Sequence, residues 1–380
     1  MLYFYACIMA LARLTISSVR NVRHADLSLS PGLNLLFGAN GSGKSSVLEA
    51  VHFLSHGKSF RAGNPRQLIS HGDKEFAVVA GLYSDDLHAG ATHQIGVSLS
   101  GGSRNRRING RNCTRQSEIA ALFPVSILQP SAQILLESSP DLRRRFLDWG
   151  SFQLWGSDFL STWKRFSMCL ERRSVLLRSA DTSMLKVWES ELCRYGVALA
   201  NARSSYLSRL MPYLLESAGI LLAGSGTLML HFDHGWSVDL DFQDALATSR
   251  EKDRRLGYTS IGPHRCDFRL LVDDVPVRQY LSRGQLKLAV ATLKIAQARL
   301  AQEVCGVGNV CLLVDDLFAE LDLENRGIFL NYLQELGLQV LVTGTGAEQF
   351  DCLSSYADTA MFHVKHGAIT PAENIQFKKR

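Results

Sequence analysis

The 380-residue chain has eight cysteines, but no CxxC pair and no companion histidine at zinc-ligand spacing. This excludes zinc hooks and leaves Cys7, Cys113, Cys169, Cys193, Cys266, Cys305, Cys311 and Cys352 as reduced thiols of a cytoplasmic protein. Charge of one sign is also scarce, since 41 Lys and Arg against 36 Asp and Glu give a formal net charge of +5. So mild a balance identifies no nucleic-acid partner; only the distribution of basic residues can do that. No stretch approaches the ~18 uninterrupted apolar residues that span a bilayer, so no membrane partner is expected. The apolar opening from Met1 to Ala12 lacks a basic n-region and a polar cleavage site, which argues against a secretory leader. Met9 is an alternative start, because organised pattern begins near Leu11. Repeats, low-complexity tracts and long heptad arrays are missing, which argues against a chromosome-tethering ATPase with long coiled-coil arms.

What is present is enough apolar residue, 46%, to bury a full core in two domains, or in one domain carrying a large insertion. From Leu11 to Phe37 short alternating bursts read as strands broken by a Pro31-Gly32 turn. Strand patterns recur over Ala77 to Tyr83 and Gln94 to Leu99. From about Arg143 to Ala218 the apolar residues Phe159, Trp163, Phe166, Leu170, Leu192, Tyr195 and Leu199 follow helical spacing. Alternation returns at Leu228, Leu230 and Phe232. The pattern predicts an α/β fold of mixed sheets with flanking helices, interrupted by an α-helical arm. Its expected boundaries are 9–142 for the first part of the head, 143–223 for the arm and 224–380 for the second part.

Gly38, Ala39, Asn40, Gly41, Ser42, Gly43, Lys44 and Ser45 fit G-x-x-x-x-G-K-[ST] without a mismatch, and Ser46 continues into the helix. Glycines let backbone N–H groups turn inward around phosphate oxygens, and the following helix presents its positive N-terminus. Lys44 would reach the β and γ phosphates of ATP, and the Ser45 hydroxyl would take a place on Mg²⁺. The plain alternative is a glycine-rich turn. Further on, the apolar strand Val310 to Val314 ends in Asp315 and Asp316, where a buried parallel strand delivers acids to the phosphate end of a sheet. Asp315 would hold Mg²⁺ through its waters. Ser282 with Gln285 three residues later predicts a capping box opening a long apolar helix, and a capped N-terminus is also an anion site.

Leu281-Ser282-Arg283-Gly284-Gln285 resembles the LSGGQ signature that separates ABC ATPases from other P-loop proteins. That resemblance implies that Ser282, Gly284 and Gln285 meet the nucleotide held by a second subunit, so that ATP glues a homodimer. It also implies that Asp316 occupies the place of the usual Glu that polarises the attacking water, making Asp316 and Lys44 the catalytic pair. Glu320-Leu321-Asp322 resembles the D-loop, with Asp322 at the dimer seam; a helix-starting acid is the alternative. Where transporters carry a switch histidine, this chain has Thr343-Gly344-Thr345, of which a hydroxyl could still bond the γ-phosphate but carries no charge. Gln129 is the nearest candidate for the Gln between the lobes.

Three segments narrow the resemblance to the RecF family, related to the structural-maintenance-of-chromosomes class. They are Ile261-Gly262-Pro263-His264-Arg265-Cys266-Asp267, similar to GPHRxD; Ser139 to Asp148, similar to SPxxRRxFLD; and Val19-Arg20-Asn21 with Leu48-Glu49-Ala50 and Lys58-Ser59-Phe60-Arg61. Ser131 and Ser138 depart from the family's usual Pro-Glu and Gly. The resemblance implies an ABC-type P-loop ATPase head with an inserted helical arm. It further implies an ATP- and Mg²⁺-dependent recombination mediator whose slow hydrolysis resets a clamp on duplex, gapped or single-stranded DNA, with the mediators RecO and RecR as partners. Candidate DNA contacts are Arg104, Arg106, Arg107, Arg111 and Arg115, then Lys164, Arg165, Arg172 and Arg173. A transporter subunit, or a binding module that holds ATP but barely hydrolyses it, would share the phosphate loop.

Overall fold

The computed structural model describes residues 10–83, 91–179, 183–306, 309–316, 321–353 and 357–372. Met1, Met9, Cys7, Glu320 and the basic tail from Lys378 lie outside them. The chain forms two compact units, one of Met1–Ala132 with Leu288–Arg380 and the other of Gln133–Lys287.

Two six-stranded sheets make the first unit. The antiparallel one has the order β2-β1-β4-β5-β6-β7, from β1 (Leu11–Val19), β2 (Val22–Ser28), β4 (Glu75–Tyr83), β5 (Ala91–Ser100), β6 (Ser103–Ile108) and β7 (Arg111–Asn112). Period-two alternation turns Phe76, Val78, Ala80 and Leu82 of β4 inward. The other sheet has the order β15-β14-β3-β13-β12-β8. It is built from β3 (Leu33–Phe37), β8 (Val125–Leu128), β12 (Cys311–Val314), β13 (Gln339–Gly344), β14 (Thr359–Lys365) and β15 (Ala368–Pro371). All but β15 run parallel. Every residue of β3, β12 and β13 is buried, as expected of strands covered on both faces.

Helix α1 (Lys44–His56) shares one core with both sheets: Val47, Leu48, Val51 and Leu54 cluster with Leu14 and Ile16 of β1 and with Leu313 and Leu341 of β12 and β13. A buried amide stitches the sheets together. Gln339 Oε1 accepts the Leu11 N–H at 2.8 Å while its Nε2 donates to the carbonyls of Leu11 and Ser30, both at 2.8 Å. Helices α2 (Gln116–Leu122) and α9 (Leu323–Glu335) complete this unit.

The second unit holds α3 (Ile134–Glu137), the long helices α4 (Pro140–Leu177) and α5 (Leu185–Leu221), α6 (Phe242–Leu256), α7 (Val277–Tyr280) and a three-stranded sheet. That sheet is β9 (Leu228–Asp233), β10 (Asp267–Val272) and β11 (Val275–Pro276) in the order β11-β10-β9. Helix α8 (Arg283–Cys305) then carries the chain back into the first unit. The division therefore falls at Gln133 and Lys287, whereas the sequence pattern predicts an arm over 143–223. The reason is that β9 and β10 pair with each other and pack on α5 and α4 instead of entering either six-stranded sheet.

Two of the sequence motifs meet inside this unit. Arg143 forks onto Asp267, with Nε at 2.6 Å and Nη2 at 3.0 Å from the two carboxylate oxygens, and Arg144 donates to the Cys266 carbonyl at 3.0 Å. Arg203 of α5 pairs with Asp148 at 2.7 Å and donates to the Pro263 carbonyl at 2.6 Å. Gly262 has φ +119, and a side chain there would run into the Phe242 ring, so only glycine fits. His264 bonds through Nε2 to the Thr259 carbonyl at 2.9 Å, and burial pushes its pKa down to about 4. The motif imidazole is therefore neutral at pH 7. Arg265 lies over the Tyr258 ring.

Candidate functional site

Strand β3 delivers the chain to Gly38, where the backbone turns sharply: Gly38, Gly41 and Gly43 have φ values of +155, +77 and +121, which side chains disfavour. Gly38 N–H donates to the Gly344 carbonyl at 3.3 Å, tying the loop to the end of β13. Helix α1 starts at once, with no side-chain cap and no acidic residue in its first turn. Its amide N–H groups and positive dipole end are thus available to an anion. In the same loop Ser42 Oγ is buried with no hydrogen-bond partner among the described residues. Lys44 is 7% exposed and folds over the loop, donating to Gly38 O at 2.6 Å and Ala39 O at 3.1 Å. Desolvation lowers its pKa, and the nearby charges of Asp316 and Asp315 oppose that shift.

The two aspartates at the end of β12 are organised by one hydroxyl. Asp315 Oδ1 accepts from Ser45 Oγ at 2.8 Å and from Thr343 Oγ1 at 3.0 Å, while Thr343 Oγ1 accepts the Asp316 N–H at 2.8 Å. Asp316 sits at φ +46, in the left-handed region that Asp tolerates better than most residues, and this bond holds it there. The fully buried Thr343 hydroxyl is thus engaged by the acid pair. Thr345 is exposed.

Ser45 and Asp315 supply hard oxygen donors from two elements, which suits Mg²⁺. Among the described residues no three His, Cys, Asp or Glu side chains cluster into an all-protein metal cage. Gln129 follows Leu128, the register partner of Val314, so it stands at the same strand end as Asp315, with its amide donating to the Phe60 carbonyl at 3.4 Å.

A brace behind the loop escapes motif reading. Asn21 Nδ2 donates to Gly41 O at 3.0 Å, and its Oδ1 accepts from Ser46 Oγ at 2.9 Å. Arg20 forks onto the fully buried Glu49 of α1 with both contacts at 2.9 Å, and the Ser59 hydroxyl bonds the same carboxylate. Arg20, Asn21, Glu49 and Ser59 all belong to segments that carry the family resemblance, but their mutual pairing is not legible in those segments.

The signature residues belong to the second unit. Gln285 Oε1 accepts the Ser282 N–H at 3.0 Å and Ser282 Oγ accepts the Gln285 N–H at 3.3 Å, which is the reciprocal capping box read from the sequence. A Cβ placed on Gly284 would meet nothing within 4 Å. In the first unit Asp322 caps α9 by accepting the Asn325 N–H at 2.8 Å, and that bond lowers its pKa.

The sequence profile described as the RecF/RecN/SMC N terminal domain matches residues 10–369. The DNA replication and repair protein RecF of Thioalkalivibrio sulfidiphilus is 37% identical over 362 residues, covering 95% of this chain and 99% of that protein. The chain belongs to the RecF family. Two solved structures of a recombination mediator protein RecF in the RecFOR pathway share its fold. The one described as RecF-ATPrS has a TM-score of 0.83 at 24% identity, covering 96% of this chain and 98% of that one. The one described as RecF-ATP has a TM-score of 0.82 at 23% identity, covering 98% and 100%. The fold is thus the ABC-type ATPase head with long helical arms.

In this RecF-family chain the basic candidates divide by burial. Arg107, Arg111 and Arg115 are exposed at the edge of the antiparallel sheet, as are Lys164, Arg165 and Arg172 on α4. Arg104 lies half-buried over the Phe53 ring, and Arg106 donates to Gln116 Oε1 at 2.9 Å. Arg173 is corrected outright. It is 0% exposed and bonded to Asp253 at 2.7 Å, Thr259 at 2.9 Å and Glu189 at 3.0 Å, so no nucleic acid reaches it. No described helix is long and apolar enough to cross a membrane.

Proposed function

We propose that this chain binds Mg²⁺-ATP at the phosphate loop and uses it to close a homodimer on duplex or gapped DNA, acting as a recombination mediator in cytoplasmic DNA repair. The observation that carries this reading is the linked set Ser45, Asp315, Thr343 and Asp316 beside a helix N-terminus free of acidic residues. Residues 38–46 would cradle the phosphates through backbone N–H groups, with Lys44 exchanging its own loop's carbonyls for β and γ oxygens. Ser45 and Asp315 would hold Mg²⁺, whose charge neutralises the phosphates when it is bound. Asp316 would orient the attacking water, and Thr343 fixes where that carboxylate starts from. Ser282, Gly284 and Gln285, with Asp322, would meet the nucleotide held by a second copy. The relatives' name and the ATP in the description of one solved structure support the same assignment, with RecO and RecR as the partners expected from the shared pathway.

The shorter side chain at Asp316, and a threonine in place of a charged switch residue, favour slow turnover in which ATP acts chiefly as a dimer switch. Analytical ultracentrifugation with and without Mg²⁺-ATP tests the scheme. Lys44→Ala is expected to abolish nucleotide binding, whereas Ser282→Arg keeps binding and stays monomeric. A Ser282→Arg protein that dimerises as well as the parent overturns the composite site.

A further inference from the structure

A peptide unit is planar and trans, so its carbonyl and its N–H point in opposite directions. A donor that holds a loop carbonyl outward therefore turns the next residue's N–H inward. Two consecutive peptide units of the phosphate loop are held in this way from one flank. Asn21 Nδ2 donates to the Gly41 carbonyl at 3.0 Å, and the Gly367 N–H donates to the Ser42 carbonyl at 2.7 Å. The two donors adjoin: Gly367 has φ +81, and a Cβ there would lie 2.0 Å from the Asn21 carbonyl oxygen, so only glycine brings the β14–β15 turn this close. On the opposite flank the Ser42 N–H donates to the Ala39 carbonyl at 3.2 Å, the same oxygen that accepts from Lys44 Nζ at 3.1 Å. Ser46 decides which end of the Asn21 amide meets the loop, because its hydroxyl donates to Oδ1 at 2.9 Å and leaves Nδ2 for Gly41.

We propose that Asn21, with the Gly367 N–H beside it, is the positioning residue of the phosphate loop, holding the Gly41 and Ser42 carbonyls outward so that the Ser42 and Gly43 N–H groups face an incoming polyphosphate. Successive N–H groups turned to one side make an anion-binding concavity. Held ready, they need no peptide rotation when the anion arrives, and affinity gains by that preorganisation. Asn21 acts through the Gly41 carbonyl, and no phosphate-loop pattern includes it. The inference deepens the phosphate-loop reading above and rests on it.

Calorimetric titration of the full chain with Mg²⁺-ATP and with Mg²⁺-tripolyphosphate tests the role. Asn21→Leu keeps the size of the side chain and removes the donor. It is expected to weaken both ligands by the same factor, about tenfold, the scale of one hydrogen bond. Its urea midpoint should stay near that of the parent, since Asn21 is exposed. An amide signal then reports the cause. With label at glycine carbonyl carbons and serine nitrogens, coupled signals arise only from Ser42, Ser103, Ser151, Ser157 and Ser225, and the one missing in Ser42→Ala belongs to Ser42. The Ser42 amide proton should move downfield when tripolyphosphate saturates the parent, and much less in saturated Asn21→Leu. Parent-like affinity in Asn21→Leu, or an undiminished Ser42 shift, overturns the positioning role and leaves the phosphate-loop reading standing. A parent chain that binds neither ligand removes both.

Discussion

Arg173 in the second unit and Lys44 in the first are both buried cations, yet they are satisfied in opposite ways. Arg173 is fully buried and its charge is met by the carboxylates of Asp253 and Glu189, with the Thr259 hydroxyl beside them. Among the described residues Lys44 bonds backbone carbonyls of its own loop, with Asp315 and Asp316 nearby and amide donors around it. Neutral carbonyls are weak compensation for a desolvated ammonium, and anionic phosphate would be better. The comparison teaches that burial of charge alone does not mark a site; incomplete internal neutralisation beside uncapped N–H groups does.

Removing Arg173 sharpens the contrast most. Arg173→Met leaves Asp253 buried without its cation, while Glu189 keeps Arg250 at 2.7 Å, and should lower unfolding stability by about 3–5 kcal/mol in urea titration, with nucleotide affinity unchanged in the folded protein. A small stability loss would mean that the second unit tolerates unpaired charge and that the comparison fails.

A smaller, more local effect is expected at Thr343. Thr343→Val keeps the shape but removes the bridge between Asp315 and Asp316, so kcat for ATP should fall about tenfold while KM stays within about twofold. Restoration by Thr343→Ser would tie the loss to the hydroxyl. A change confined to KM would contradict the positioning role.

The mildest effect is on pH, and it strikes both units together. Burial pushes His52 in the first unit and His264 in the second down to about 4, from the ordinary 6.5. Between those values the unfolded chain binds more protons than the folded one, so stability is full above pH 6.5 and declines as pH falls toward 4. The Tm should drop through that window, and His264→Gln should flatten the decline. An unchanged acid limb in that variant would remove His264 from the account.

Much of the nucleotide region was legible because its signals are contiguous. The phosphate loop, the acids ending β12, the Ser282–Gln285 box and the Asp322 cap each lie within a few residues. What stayed hidden depends on partners far apart in sequence, such as Thr343 with Asp315, Arg143 with Asp267, or the β14–β15 hairpin beside the loop. Strand alternation at Leu228, Leu230 and Phe232 was read correctly as a strand, but periodicity does not say which sheet a strand joins, and β9 joined β10. Arg172 and Arg173 look alike in a charge run. A helix separates neighbours onto different faces, and only Arg172 reaches solvent.

The most direct test of the account is anisotropy of a labelled gapped duplex titrated with the full chain under no nucleotide, ADP and ATP, at two salt concentrations. The account predicts tight binding only with ATP, weakening steeply as salt rises because phosphate contacts release counterions. Binding that is absent, or equal in all three nucleotide states, would contradict an ATP-gated clamp on DNA.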